Sequence, residues 1–128
     1  ELAQIAEVIS GKPDGFLVLS GDDATAKDTV KIGGQGVISV LGQALPEMFS
    51  RMIREAAGPN TEQADALHHD LEAAMELIFE EGNPSGIKAM LQVLGICDAF
   101  VRLPLTEASA DLKSRITAYM KTTSGINA

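Results

Sequence analysis

Two short polar corners, set against apolar runs, hold the residue types best able to do chemistry in this 128-residue chain. One is Ser20-Gly21-Asp22-Asp23, which follows Phe16-Leu17-Val18-Leu19; the other is Gly36-Val37-Ile38-Ser39, which follows the paired glycines Gly33-Gly34. Adjacent carboxylates suit general acid–base work or metal binding. At the start of a helix, though, they more often accept the orphan N–H groups of the first turn, a contact worth about 1 kcal/mol. Gly21 at a strand end either lets a ligand approach the backbone or only makes a tight turn. Gly33-Gly34-Gln35-Gly36 has the composition of a phosphate loop but precedes a strand instead of opening a helix, the wrong order for dinucleotide or P-loop binding.

The remaining reactive side chains read as structural. His68 and His69 are neighbours on a helical stretch and project about 100° apart, so they cannot easily share one ion. His68 lies on the stripe of Ala64, Leu71 and Met75, which predicts a half-buried, hydrogen-bonded imidazole. Cys97 has no nearby histidine to activate it and no partner for an internal disulfide, which fits a reducing cytoplasmic setting. Met48, Met52, Met75, Met90 and Met120 sit on apolar stripes and read as core filler. No metal site or cofactor is expected.

The elements that must position the two corners follow from hydrophobic period. Residues 1–10 put Leu2, Ile5 and Ile9 on one helical face and stop at Gly11. Residues 16–19 and 37–40 read as fully buried strands, joined by a helix that Asp22 or Asp23 caps and Gly33 or Gly34 ends. Leu45, Met48, Phe49, Met52, Ile53 and Ala56 repeat at helical spacing, with Pro46 in the first turn and Gly58-Pro59 closing. Helix, strand, helix, strand, helix is the cadence of a parallel sheet or barrel, in which ligands bind at the C-terminal ends of the strands.

After Pro59 the pattern is helical only. Asn60 or Thr61 opens a helix carrying Ala64, Leu67, Leu71, Ala74, Met75 and Ile78. Asn83-Pro84 reads as a cap and first-turn proline before a helix with Ile87, Met90, Leu91 and Leu94 inward, ended by Gly95. Residues 101–105 read as an extended connector. Ser109 caps a last helix with Leu112, Ile116 and Tyr119 inward, and residues 122–128 read as a frayed tail.

Composition narrows the function classes. Apolar residues make up 45% of the chain, mean hydropathy is +0.10 and the formal net charge is −8. The acidic balance repels phosphate backbones and anionic lipid, so nucleic acid and membrane are not expected partners. No run approaches the roughly 18 apolar residues of a membrane helix. A complete barrel of eight βα units needs roughly 250 residues. Two parallel strands alone would leave both edges open, so either polypeptide lies upstream, as Glu1 in place of Met suggests, or partners complete the sheet.

The ordered set Leu19-Ser20-Gly21-Asp22-Asp23-Ala24-Thr25-Ala26, Gly33-Gly34-Gln35-Gly36-Val37-Ile38-Ser39-Val40, Asn83-Pro84 with Lys88, and Arg102-Leu103-Pro104-Leu105 resembles the dihydrodipicolinate synthase family over nearly the whole chain. The resemblance implies an α/β fold, the C-terminal part of a (β/α)8 TIM barrel: residues 1–58 as the end of helix 6, strands 7 and 8 and helices 7 and 8, and residues 59–128 as a three-helix extension. It implies a pyruvate-dependent lyase of lysine biosynthesis that condenses pyruvate, held as a lysine Schiff base, with aspartate semialdehyde. It also implies a cytoplasmic homotetramer and, as partner here, the N-terminal half of the same barrel. Ser85-Gly86 departs from the family's usual apolar-proline pair.

The family's Schiff-base lysine belongs to strand 6, and its tyrosine and threonine relay and substrate arginine also lie upstream. Lys12, Lys27, Lys31, Lys88, Lys113 and Lys121 all fall on predicted turns or helices, so no catalytic residue is expected in this chain and the chain alone is expected to be inactive. Two positions carry over as substrate-binding: Gly21, whose backbone would face the substrate, and Ile38, a small apolar wall beside the imine. Gly21 as a turn residue and Ile38 as one more buried strand side chain are the structural alternatives. Two other readings of the whole remain: a segment of a related pyruvate-dependent sugar-acid aldolase, and a non-catalytic helical oligomerisation module.

Overall fold

Residues 1–123 are described by a computed structural model, in which the helical periods of the sequence become six α-helices and the two apolar runs contribute a short parallel pair. The chain divides into two units, Glu1–Glu72 and Ala73 onward, with the division inside the fourth helix. The first unit holds α1 (Leu2–Gly11), β1 (Leu19–Ser20), α2 (Asp23–Lys31), β2 (Gly36–Val37), a 3-10 helix (Leu41–Gln43), α3 (Pro46–Ala57) and the start of α4 (Thr61–Phe79). The second holds the end of α4, then α5 (Ser85–Val93) and α6 (Ala110–Thr123).

The strands pair in parallel with Leu19 opposite Gly36 and Ser20 opposite Val37. Backbone bonds extend the ladder by one step at each end, from the Gln35 N–H to the Val18 carbonyl and from the Ile38 N–H to the Ser20 carbonyl, both 2.9 Å. Both strands are shorter than the runs 16–19 and 37–40 predict, and they are not fully buried: Phe16 and Leu17 are 63% and 65% exposed. A strand is defined by its hydrogen-bonded neighbour, and each of these has a neighbour on one side only, over a few residues. Gln35 takes the place of a further ladder bond. Its Oε1 accepts the Val18 N–H at 2.7 Å while its Nε2 donates to the Gly33 carbonyl at 2.7 Å.

Between the strands, α2 starts and stops as its sequence dictates. Asp22 is its cap, accepting the Thr25 N–H at 3.1 Å and the Thr25 hydroxyl at 2.8 Å. Just past its end Gly33 has φ +105°, a conformation that L side chains avoid. The proline-led α3 buries Phe49, Met52 and Ala56, and Val30, Ala56 and Ala64 form a small apolar cluster with Ile53 against it.

A polar staple joins α2 to α4 within this unit. Lys27 and Lys31 donate to the two oxygens of Asp65 at 2.7–2.9 Å. The lysine hydrogen bonds, first Lys27 and then Lys31, bring the Asp65 carboxyl down to about 2 from the usual 3.8. Because the folded value is depressed, the staple's stabilisation is complete above the unfolded value and is lost as pH falls through about 2. Asp65→Asn is therefore expected to lower the urea midpoint at neutral pH, with the difference from the parent closing between pH 4 and 2 and shrinking in high salt.

In the second unit Ile78, Met90, Leu112, Ile116 and Met120 are fully buried. Ser109 caps α6 as predicted, its Oγ accepting the Leu112 N–H at 3.1 Å. Glu81 in turn fixes Ser109, accepting its N–H at 2.7 Å and its hydroxyl at 2.5 Å, and these bonds hold the Glu81 carboxyl below its ordinary range. Arg115 pairs with Glu80 and Asp111.

Four local expectations differ from the structure. Pro84 stands at the N-cap instead of the first helical position, and no side chain caps α5. Ser85, buried, donates instead to the Thr106 carbonyl at 2.6 Å. Residues 101–105 are not extended throughout: the Leu105 N–H reaches back to the Arg102 carbonyl at 2.9 Å and closes a turn. Thr122 and Thr123 belong to α6, while the rest of the tail predicted to fray lies outside the described residues. Tyr119 is half-buried, and its neighbour Met120 is the buried residue. Among the described residues no helix is long and apolar enough to cross a membrane.

Candidate functional site

The parallel register brings the two polar corners side by side. Ser20 and Val37 are ladder partners, so the next residue of each strand, Gly21 and Ile38, stands at the same C-terminal edge. Ile38 is 71% exposed, its side chain covered by nothing in this chain. Gly21 has no positive φ, and a Cβ built there would meet nothing within 4 Å. The turn itself therefore does not require glycine at this position. Gly21 opens onto a groove of about 430 Å³ that Ile5, Val18, Ser20, Thr25 and Thr29 also line, and the Thr29 hydroxyl is buried without a hydrogen-bond partner.

The Gly21 corner is held rigidly on its own strand. The Ser20 hydroxyl donates to the Asp22 carbonyl at 2.8 Å and accepts the Asp22 N–H at 3.2 Å, closing the backbone around Gly21. Ser39 does the same work on the other side, its Oγ accepting the Gly42 N–H at 2.7 Å as the chain enters the 3-10 helix.

Asp22 and Asp23 are alternative caps by sequence, and the structure separates them. Asp22 caps α2; Asp23, 1% exposed, turns inward and reaches the other corner. Its Oδ2 accepts the Leu41 N–H at 2.8 Å and the Val40 N–H at 3.1 Å, and its Oδ1 stands 3.2 Å from the same Val40 nitrogen. The signal was available in the residue order, since only one of two adjacent carboxylates can have cap geometry and the other must find its donors elsewhere.

No lysine lies on β1 or β2. Lys27 and Lys31 are committed to Asp65, and Lys113 to Glu107 at 2.6 Å. Burial pulls the Lys27 ammonium down, but its hydrogen bonds to Asp65 and Asp28 outweigh that and hold it above 10.5. A lysine destined for imine chemistry needs the reverse shift, because only the free amine attacks a carbonyl.

The histidines part as helix geometry requires: His69 is 82% exposed with Nδ1 at 3.2 Å from Glu72, while the His68 side chain is 16% exposed. The hydrogen bond expected for His68 is not made at Nδ1, which is buried without a partner, and Nε2 lies 3.9 Å from Glu72. Burial first, and the charge of Lys27 second, keep this imidazole below its ordinary value. Cys97 is exposed and free.

With this geometry in hand, comparison with known proteins is specific. The sequence matches the Dihydrodipicolinate synthetase family over residues 1–123. It is 40% identical over 121 residues to the 4-hydroxy-tetrahydrodipicolinate synthase of Flavobacterium psychrophilum, covering 94% of this chain and 41% of that one. The crystal structure of dihydrodipicolinate synthase from Aquifex aeolicus superposes with a TM-score of 0.91 at 31% identity, over 97% of this chain and 42% of that one. The Acinetobacter baumannii enzyme, solved in complex with pyruvate, gives 0.89 at 27% identity over 98% and 43%. The chain thus spans about two fifths of the length of the relatives it matches. The fold is that of the C-terminal part of a (β/α)8 barrel, its last two βα units with a C-terminal helical extension.

Proposed function

The chain belongs to the dihydrodipicolinate synthetase family, and on that premise we propose that it supplies one wall of a pyruvate site in a barrel completed by other polypeptide. Gly21 and Ile38 form that wall, Gly21 by admitting substrate against its backbone and Ile38 by shielding the imine from water. The completed enzyme condenses pyruvate with aspartate semialdehyde, a step of lysine biosynthesis. The amine that forms the imine comes from outside this chain. Residues 1–58 belong to the barrel and residues 59–128 to the extension, and the family resemblance extends the reading to a cytoplasmic homotetramer.

The observation that carries this reading is the exposed pair Gly21 and Ile38 at the matched ends of two parallel strands. The C-terminal edge of parallel strands is where barrels of this kind bind their ligands. Neither residue has a structural reason within the chain to be what it is: Ile38 is not packed, and a Cβ at Gly21 would meet open space.

The test is a chimera in which this chain replaces the matching two fifths of the Flavobacterium psychrophilum synthase. Borohydride treatment with pyruvate is expected to leave a mass adduct on a lysine of the grafted partner sequence and none on the lysines of this chain, and the chain alone is expected to take up no adduct. The chimera should consume aspartate semialdehyde in preference to sugar acids. An adduct on Lys27, Lys88 or any other lysine of this chain would overturn the proposal, as would cleavage of sugar acids without condensation.

A further inference from the structure

We propose that Asp23 is a positioning residue for the pyruvate pocket, its buried carboxylate holding Gly21 and Ile38 in fixed relation across the ends of the two strands. The inference rests on reading those two residues as pocket wall. Asp23 follows Gly21 by two residues, and the N–H of Val40, two residues after Ile38, is one of the groups it accepts, the other being that of Leu41. The carboxylate therefore closes a loop of bonds that has the two wall residues on opposite sides.

Backbone pairing alone cannot do this. The last ladder bond runs from the Ile38 N–H to the Ser20 carbonyl. Beyond it β1 turns away at Gly21 and Asp22 into α2, so no main-chain carbonyl of that strand reaches the Val40 and Leu41 donors. Asp23 supplies the missing acceptor. At 1% exposure the Asp23 carboxyl oxygens must be satisfied by donors, and the Val40 and Leu41 N–H groups supply them, which ties the two corners together. The paired Asp22 is unavailable, since Thr25 holds its side chain.

The test uses the chimera described above. Asp23→Asn keeps the size of the side chain and one acceptor oxygen but turns an NH2 group toward the backbone donors. It is expected to raise the KM for pyruvate about 10-fold or more while kcat falls less, because a displaced wall weakens binding before it alters the amine chemistry. Amide hydrogen exchange at Val40 and Leu41 is expected to accelerate alongside, with Ile38 little changed. Val40→Pro deletes one donor and leaves the carboxylate, and it should shift the pyruvate KM in the same direction.

A pyruvate KM within twofold of the parent in a folded Asp23→Asn chimera overturns the proposal, and so does failure of both variants to assemble, which would make the carboxylate a purely structural brace. If the parent chimera forms no pyruvate adduct at all, the functional reading fails instead. Loss of exchange protection at Val40 and Leu41 would in that case still report the bond.

Discussion

Gly86→Ala is expected to cost the second unit about 3 kcal/mol or more, the largest effect of an added methyl group among the described glycines. A Cβ at this position would lie 2.3 Å from the Ile78 carbonyl oxygen and 2.6 Å from its carbonyl carbon and Cα. All three are backbone atoms near the end of α4, so no side-chain rotation relieves the clash. The first turn of α5 would have to move off α4, and with it the buried Ile87 and Met90. Urea denaturation followed by circular dichroism measures the loss. Gly95→Ala is the control in the same unit: its φ of +70° carries a conformational penalty of about 1 kcal/mol, but its Cβ would meet nothing within 4 Å. If the two variants lose equal stability, the close approach of α5 to α4 is not what Gly86 provides.

The start of α5 rests on two small residues, Ser85 and Gly86, with separate jobs. Ser85 donates to the Thr106 carbonyl, tying the start of α5 to the segment before α6, and Gly86 lets two backbones touch. Neither role is visible in residue periodicity, because each depends on a partner well away in sequence: Ile78 in one case, Thr106 in the other.

Much of the rest was legible. The α3 face of Phe49, Met52 and Ala56, the Pro46 start, the Ser109 cap and a cap at Asp22 or Asp23 all follow from spacing and local hydrogen bonding, which act over a few residues. The strands were legible in place and in direction but not in length or burial. Apolar, β-branched runs record the burial a strand is built for, whereas the ladder in one chain records only the neighbours that chain supplies. Phe16, Leu17 and Ile38 show the difference most plainly. Asp22 and Asp23 are not told apart by sequence for the opposite reason: both fit a cap by type, and only the parallel register brings Val40 and Leu41 within reach of Asp23.

For the site itself, Gly21→Ala separates a structural glycine from a functional one. The backbone at Gly21 is not in the left-handed region and the space around its Cβ position is open, so the methyl group fits without strain. In the chain on its own the substitution is expected to change stability by less than about 0.5 kcal/mol, with any gain arising from a stiffer unfolded chain. In the chimera it should lower kcat/KM for pyruvate about 100-fold, because a displacement of about 1 Å in a bound reactant is enough for a loss of that size. The two measurements must diverge for the reading to hold. A drop in stability matched by the drop in activity would make Gly21 a turn residue after all, and unchanged activity would move the substrate away from this corner. Divergence would mean that the residue is small on account of a molecule outside the chain, since nothing inside it comes near.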